Sequence, residues 1–170
     1  ILPPGEPELK TNLAGVRDSK RLTAARREAM LHLIQEHAVA LGVGAVPADE
    51  IDVLGIVPAT RTAMDLALQK LAPPADSLLI DYLLLPDVSL PQQSLPKGDA
   101  RVLSIAAASI VAKVSRDRMM VDLAADLPGY GFAQHKGYGT PQHRAALAAL
   151  GPSAVHRLSF APLRQLGGDD

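Results

Sequence analysis

The chain has 170 residues, a formal net charge of −1 and 48% apolar residues, yet only two Phe, three Tyr and no Trp. Its core must therefore be built from Leu, Val, Ile and Ala, and its length suits one domain. The absence of cysteine excludes disulfides and thiolate metal sites and agrees with a reducing, cytoplasmic setting. The longest strongly apolar stretch, Val102 to Val114, is too short to span a bilayer, and no basic-then-apolar signal opens the chain.

The chain opens with Ile1-Leu2-Pro3-Pro4, as if on the tail of an apolar strand, and Pro3 to Lys10 reads as turn and loop. Thr23 is an N-cap for a helix over about Ala24 to His37, with Met30, Leu33, Ile34 and Leu41 recurring at helical spacing. Val39 to Val46, small and apolar with two glycines, suits a short buried strand. Pro47-Ala48-Asp49-Glu50 starts a helix that Pro58 is expected to break, the second part running from Ala59 to Leu71. Ser77 to Ile80 reads as an apolar strand ending on Asp81, and Gln93 to Leu95 as an edge strand in a proline-containing loop. Val102 to Leu127 is the longest helical pattern. A Gly-rich loop over 128–141 precedes a helix from Pro141 to Leu150, stopped by Gly151-Pro152. Alternating short strands and helices make the class α/β or α+β. One domain over 1–163 and a disordered tail over 164–170 are expected.

Charge is unevenly spread. Residues 46–95 carry two cations and seven acids, whereas 97–118 carry five cations and two acids, and 9–27 six cations and one acid. The two basic segments could form a phosphate-binding face, although on charge alone solvated helix surface is the favoured reading.

Asp117 is the most informative residue on pattern alone. At about 100° per residue it falls in the same arc as Leu103, Ile110, Val114 and Val121. A carboxylate on an apolar stripe needs a partner, either a cation such as Lys113 four residues earlier or a divalent metal at the core's edge. Asp81, at a strand end, is a second carboxylate that could share Mg²⁺ with it; its plainer reading is a strand terminator. Ser19 and Lys20, after Asp18 and before the Thr23 cap, suit a phosphate or are an ordinary polar loop. Lys136 and Tyr138, in Lys-Gly-Tyr-Gly, suit a phosphate and a stacked base or sugar, or form a tight turn. The five histidines make no metal-binding spacing, and no nucleotide-binding or serine-hydrolase motif occurs.

Taken in order, the segments resemble ribonuclease HII, the type 2 ribonuclease H family, from about Arg17 to Leu163. The blocks are Asp18-Ser19-Lys20-Arg21-Leu22, Gly42-Val43-Gly44 with Ile51-Asp52, and Lys97-Gly98-Asp99. Ser104 to Ile110, Arg116-Asp117-Arg118-Met119 and Gly129-Tyr130-Gly131-Phe132 follow. His135 to Thr140 and His156 to Phe160 complete the set. The resemblance implies a ribonuclease-H-like mixed sheet flanked by helices, with a C-terminal helical region. It implies hydrolysis on the 5′ side of a ribonucleotide, in RNA–DNA hybrids or in duplex DNA containing ribonucleotides, by a monomer using Mg²⁺ or Mn²⁺. Asp81 and Asp117 match two of the four metal carboxylates. Ser19 and Lys20 match phosphate contacts, with Asp18 in support, and Tyr138 matches a contact to the ribonucleotide beside Lys136. Lys97 and Lys113 match supporting positions.

Two departures stand out. Tyr82 occupies a position that is normally Gly, and the family's DEAGRG-type block, with two metal carboxylates and the central first strand, has no counterpart. The expectation is an N-terminal truncation that is poorly stable and inactive alone, to be compared with an extended form by melting and by cleavage of a duplex with one ribonucleotide. The alternatives are a non-catalytic nucleic-acid-binding remnant, or another metal-dependent nuclease of the same broad fold, such as a junction resolvase.

Overall fold

The computed structural model describes residues 1–16, 19–161 and 163–166. Asp18 and the last part of the expected tail, Gly167 to Asp170, lie outside them. The described residues divide between two compact units, Ile1–Ala45 with Arg61–Ser115 and Val46–Thr60 with Arg116–Asp170.

In the first unit, a one-turn helix, α1 (Leu9–Asn12), begins within the last residues of the stretch read as loop. Leu9 and Leu13 are one helical turn apart, so a single turn places both on one buried face. Helix α2 (Ala24–His37) has the expected limits, with Thr23 Oγ1 accepting from Arg26 N at 3.2 Å. Its buried face, Met30, Leu31 and Ile34, packs with Leu9, Leu13 and Val16 against Ala106, Ala107, Ile110, Val111 and Val114 of α5 (Leu103–Asp126). Ile110 is wholly buried, so this half of the long helix is core on one side.

The strand expected over Val39 to Val46 does not form. Its backbone exchanges one pair of bonds, Val39 N to Ile1 O at 2.9 Å and the Ile1 amine to Ala40 O at 2.8 Å, and among the described residues no longer ladder continues it. Its glycines serve close packing instead. A Cβ at Gly42 would lie 2.0 Å from Ala67 O, and one at Gly44 would lie 1.9 Å from Ala63 O. Only glycine lets the segment lie directly on the carbonyls of α4 (Ile56–Gln69).

The helix after Pro47 breaks earlier than expected. α3 (Ala48–Leu54) ends at Gly55, whose φ of 81° suits glycine, and α4 restarts at Ile56 with Pro58 inside its first turn. Proline is tolerated there because first-turn N–H groups have no helical partner. β1 (Leu78–Ile80) pairs in parallel with β2 (Gln92–Ser94), Leu78 opposite Gln92 and Ile80 opposite Ser94. Leu78 and Ile80 point inward, packing with Leu85 and with Met64 and Leu68 of α4. The Gln92 amide closes the connecting loop, bonding Leu85 N at 2.9 Å and the Leu85 and Val88 carbonyls at 2.8 Å each.

In the second unit, Tyr130, Phe132, Leu147 and Leu163 form the core, with Met120 and Leu123 of α5, and Leu127 just after it, against them. The Gly-rich stretch, read as loop, includes the short helix α6 (Phe132–His135). α7 (Pro141–Leu150) is capped by Thr140, whose Oγ1 accepts from His143 N at 3.2 Å. α8 (Leu163–Leu166) takes up the first residues of the stretch expected to be tail.

Candidate active site

In the first unit, Asp81 follows the last residue of β1, and its carboxylate is exposed. Oδ1 accepts from Gly98 N at 3.0 Å, which fixes the side chain relative to the turn Gly98–Ala100. Lys97, exposed, starts that turn with φ 57°. Tyr82 also has a left-handed backbone, φ 67°, with its ring 75% exposed and its carbonyl accepting from Ser94 Oγ at 2.9 Å. The chain thus reverses at the position where the family pattern has Gly, for the reason that pattern suggests: a positive φ.

Ser19 is 4% exposed, and its hydroxyl lies 2.7 Å from that of Ser109 on α5. Arg27 orders the same turn by donating to Ser19 O at 3.2 Å and Leu22 O at 2.6 Å. Lys20, by contrast, is exposed. Lys113 is half-buried on α5.

In the second unit, Asp117 is half-buried on α5. It follows the apolar stripe where that stripe fades: Ile110 and Val114 are buried, but Val121 is exposed. Arg116 donates to Lys136 O at 2.9 Å, and its guanidinium lies over the Tyr138 ring, 5.6 Å from the centroid. The Tyr138 ring remains 57% exposed. Lys136 ends α6 with φ 51°, and its ammonium caps the Ala133 carbonyl. Arg116 was legible only as part of the Arg116-Asp117-Arg118-Met119 block; nothing in the sequence linked it to a loop twenty residues on.

Asp81 and Asp117 thus belong to separate units. Among the described residues, no group of three or more His, Asp or Glu side chains is arranged to hold a metal ion. The donor chemistry still suits Mg²⁺ or Mn²⁺: both are carboxylates, and Mg²⁺ takes one or two of them with water and substrate phosphates.

Two features were missed by sequence reasoning. Asp52 accepts from Leu158 N at 2.7 Å and from the Ser159 N–H at 3.0 Å and hydroxyl, joining two blocks more than a hundred residues apart. The Ser159 hydroxyl bond is the main cause that lowers the Asp52 carboxyl below its ordinary value. The second is a cluster of buried imidazoles, His135, His143 and His156, around Phe132. Burial lowers His143 and His156 below the ordinary imidazole value. The signal available in the sequence was weak: these residues are 8 and 13 apart, spacings that no single helix face brings together.

A family model described as Ribonuclease HII matches residues 4–163. The ribonuclease HII of Chloroflexus aurantiacus is 58% identical over 151 residues, covering 89% of this chain and 71% of that protein. That of Geobacillus thermodenitrificans is 54% identical over 156 residues, covering 92% of this chain and 60% of the relative. The crystal structure of ribonuclease H2 from Pyrococcus horikoshii superposes with a TM-score of 0.73 at 22% identity, covering 94% of this chain and 82% of that one. That last similarity shows a shared fold.

Proposed function

We infer the activity from the family: this chain belongs to the ribonuclease HII family, and its function is that of a ribonuclease H, a hydrolase that cleaves RNA endonucleolytically within RNA–DNA hybrids. Its finer chemistry is cleavage on the 5′ side of a ribonucleotide, in a hybrid or in duplex DNA, leaving a 3′-hydroxyl and a 5′-phosphate. Both units act as one catalytic domain, a reading supported by a family match that runs through residues of each. The protein works as a cytoplasmic monomer, removing ribonucleotides during DNA replication and excision repair. Among the described residues, no helix is long and apolar enough to cross a membrane.

The observation that carries the site assignment is Asp81: an exposed carboxylate at the end of an apolar strand, held by the Gly98 N–H. Asp81 and Asp117 serve as two of the metal carboxylates. Held by these two carboxylates, Mg²⁺ or Mn²⁺ would supply Lewis-acid stabilisation of charge on the scissile phosphate. The protein's own groups bind and orient the duplex. Lys20 and Lys136 meet phosphates, with Ser19 ordering the Lys20 turn through Ser109 and Asp18 in support. The Tyr138 ring lies against the ribose, where the 2′-hydroxyl separates RNA from DNA. Lys97 and Lys113 add positive charge along the backbone path.

The test uses a form of the protein that carries a DEAGRG-type block ahead of Ile1, and a duplex containing one ribonucleotide. Cleavage should require Mg²⁺ or Mn²⁺ and fall at least about a hundredfold, roughly 3 kcal/mol of barrier, in Asp81→Asn and in Asp117→Asn. Tight binding without cleavage by the parent protein would instead favour a nucleic-acid-binding remnant. Preferential cutting of branched DNA would favour another nuclease of this fold.

A further inference from the structure

The three buried imidazoles of the second unit are all hydrogen-bonded, His143 and His156 to each other, and their proton positions follow from their partners. A neutral imidazole has one donor and one acceptor nitrogen. His156 Nδ1 accepts from Ser153 N at 2.9 Å, with Ser153 Oγ 2.8 Å away, so its proton is on Nε2. That Nε2 lies 3.1 Å from His143 Nε2, which must therefore accept and place the His143 proton on Nδ1. His143 Nδ1 lies 3.1 Å from Tyr138 O and donates to it. His135 acts in parallel: its Nδ1 accepts from Gly137 N at 3.2 Å, and its Nε2 donates to Tyr130 O at 2.7 Å. The two inner rings, His135 and His143, stack with centroids 4.4 Å apart.

Two imidazoles thus hold successive backbone groups of one short loop, the N–H of Gly137 and the carbonyl of Tyr138. Gly137 has φ 78° and Lys136 φ 51°, so the loop has few alternative conformations that keep its bonds. The loop's own ring faces outward. The histidines are buried behind it, with exposures of 6 to 8%.

We propose that His143 and His156 are positioning residues: a relay from the Ser153 backbone through both rings fixes the Tyr138 carbonyl and so holds the Tyr138 ring in place against the nucleic acid. The inference rests on Tyr138 being a substrate contact, as argued above. Neither histidine touches the substrate, and each acts only through the loop.

A double-mutant cycle tests it, with binding of the full chain to an RNA–DNA hybrid followed by fluorescence anisotropy in EDTA, so that no turnover intervenes. Tyr138→Ala should weaken binding about tenfold, and His143→Leu by a similar factor. In the Tyr138→Ala background, His143→Leu should change binding less than about twofold, because the ring it positions is gone. His143→Asn, whose amide can still donate to the Tyr138 carbonyl, should bind within about threefold of the parent. His143→Gln, which can meet His156 but not that carbonyl, replaces the Leu variant if the latter fails to fold. If Tyr138→Ala binds normally, the reading of Tyr138 as a contact falls. If Tyr138→Ala weakens binding while His143→Leu does not, or if the two losses multiply, the relay falls and the contact stands. Long-range ¹H–¹⁵N imidazole spectra check it independently of binding. They should show Nδ1–H for His143 and Nε2–H for His156, and the opposite tautomers would overturn the proposal.

Discussion

Tyr82 occupies the left-handed region at φ 67°, where an L side chain is disfavoured by about 1 kcal/mol or more. The position demands a reversal because Asp81 must turn back towards Gly98 while the Tyr82 carbonyl meets Ser94. Glycine relieves that strain but adds freedom to the unfolded chain, so the two effects oppose each other. With the ring 75% exposed there is little packing to lose, and the strain should win. Tyr82→Gly is therefore expected to raise stability by on the order of 0.5 kcal/mol, visible as a higher urea midpoint. A lower midpoint would show that the ring contributes more than its exposure suggests. The residue was visible in the sequence as a departure from the family pattern. Its backbone angle, which gives the departure its meaning, was not.

At the scale of elements, α2 and α7 were legible to the residue because their signals are local: Thr23 and Thr140 cap them, and apolar residues recur at helical spacing. The α3–α4 break falls at Gly55 and not at Pro58, because proline disrupts a helix interior but fits a first turn. Gly42 and Gly44 were read as strand residues, although their requirement comes from α4, which the local sequence does not reveal. Gly44→Ala would force a methyl to within 1.9 Å of the Ala63 carbonyl, a backbone atom that cannot swing aside. Destabilisation on the order of 3 kcal/mol is expected in chemical denaturation. Ala at Gly5, where a Cβ would meet nothing within 4 Å, serves as the control for added bulk, although its φ of 74° carries the strain of that backbone region alone.

For the whole molecule, the buried histidines couple folding to pH. His143 and His156 are held below the ordinary imidazole value by burial, so the unfolded chain binds protons that the folded chain refuses. Their contribution is therefore complete above about pH 6.5 and is lost as pH falls from there through the lowered folded values. Asp52, lowered mainly by the Ser159 hydroxyl, acts in the same direction but only further down, below the ordinary carboxylate range. Urea midpoints measured by circular dichroism should be flat from about pH 8 to 7 and then fall towards pH 5. Replacing both histidines with Gln should flatten the fall, and an unchanged slope would assign it to other groups.

The sequence by itself determined the family, the α/β class, the main helices and the identity of the candidate carboxylates Asp81 and Asp117. These rest on information local to each segment: periodicity, caps and ordered short blocks. The tertiary structure decided which residues serve one another across distance. It placed Gly98 against Asp81, Asp52 against Leu158 and Ser159, and three histidines behind the Tyr138 loop. Such pairings depend on where the chain returns in space, and a hydrogen bond of about 3 Å between residues far apart in sequence leaves no periodic trace for a single chain to display.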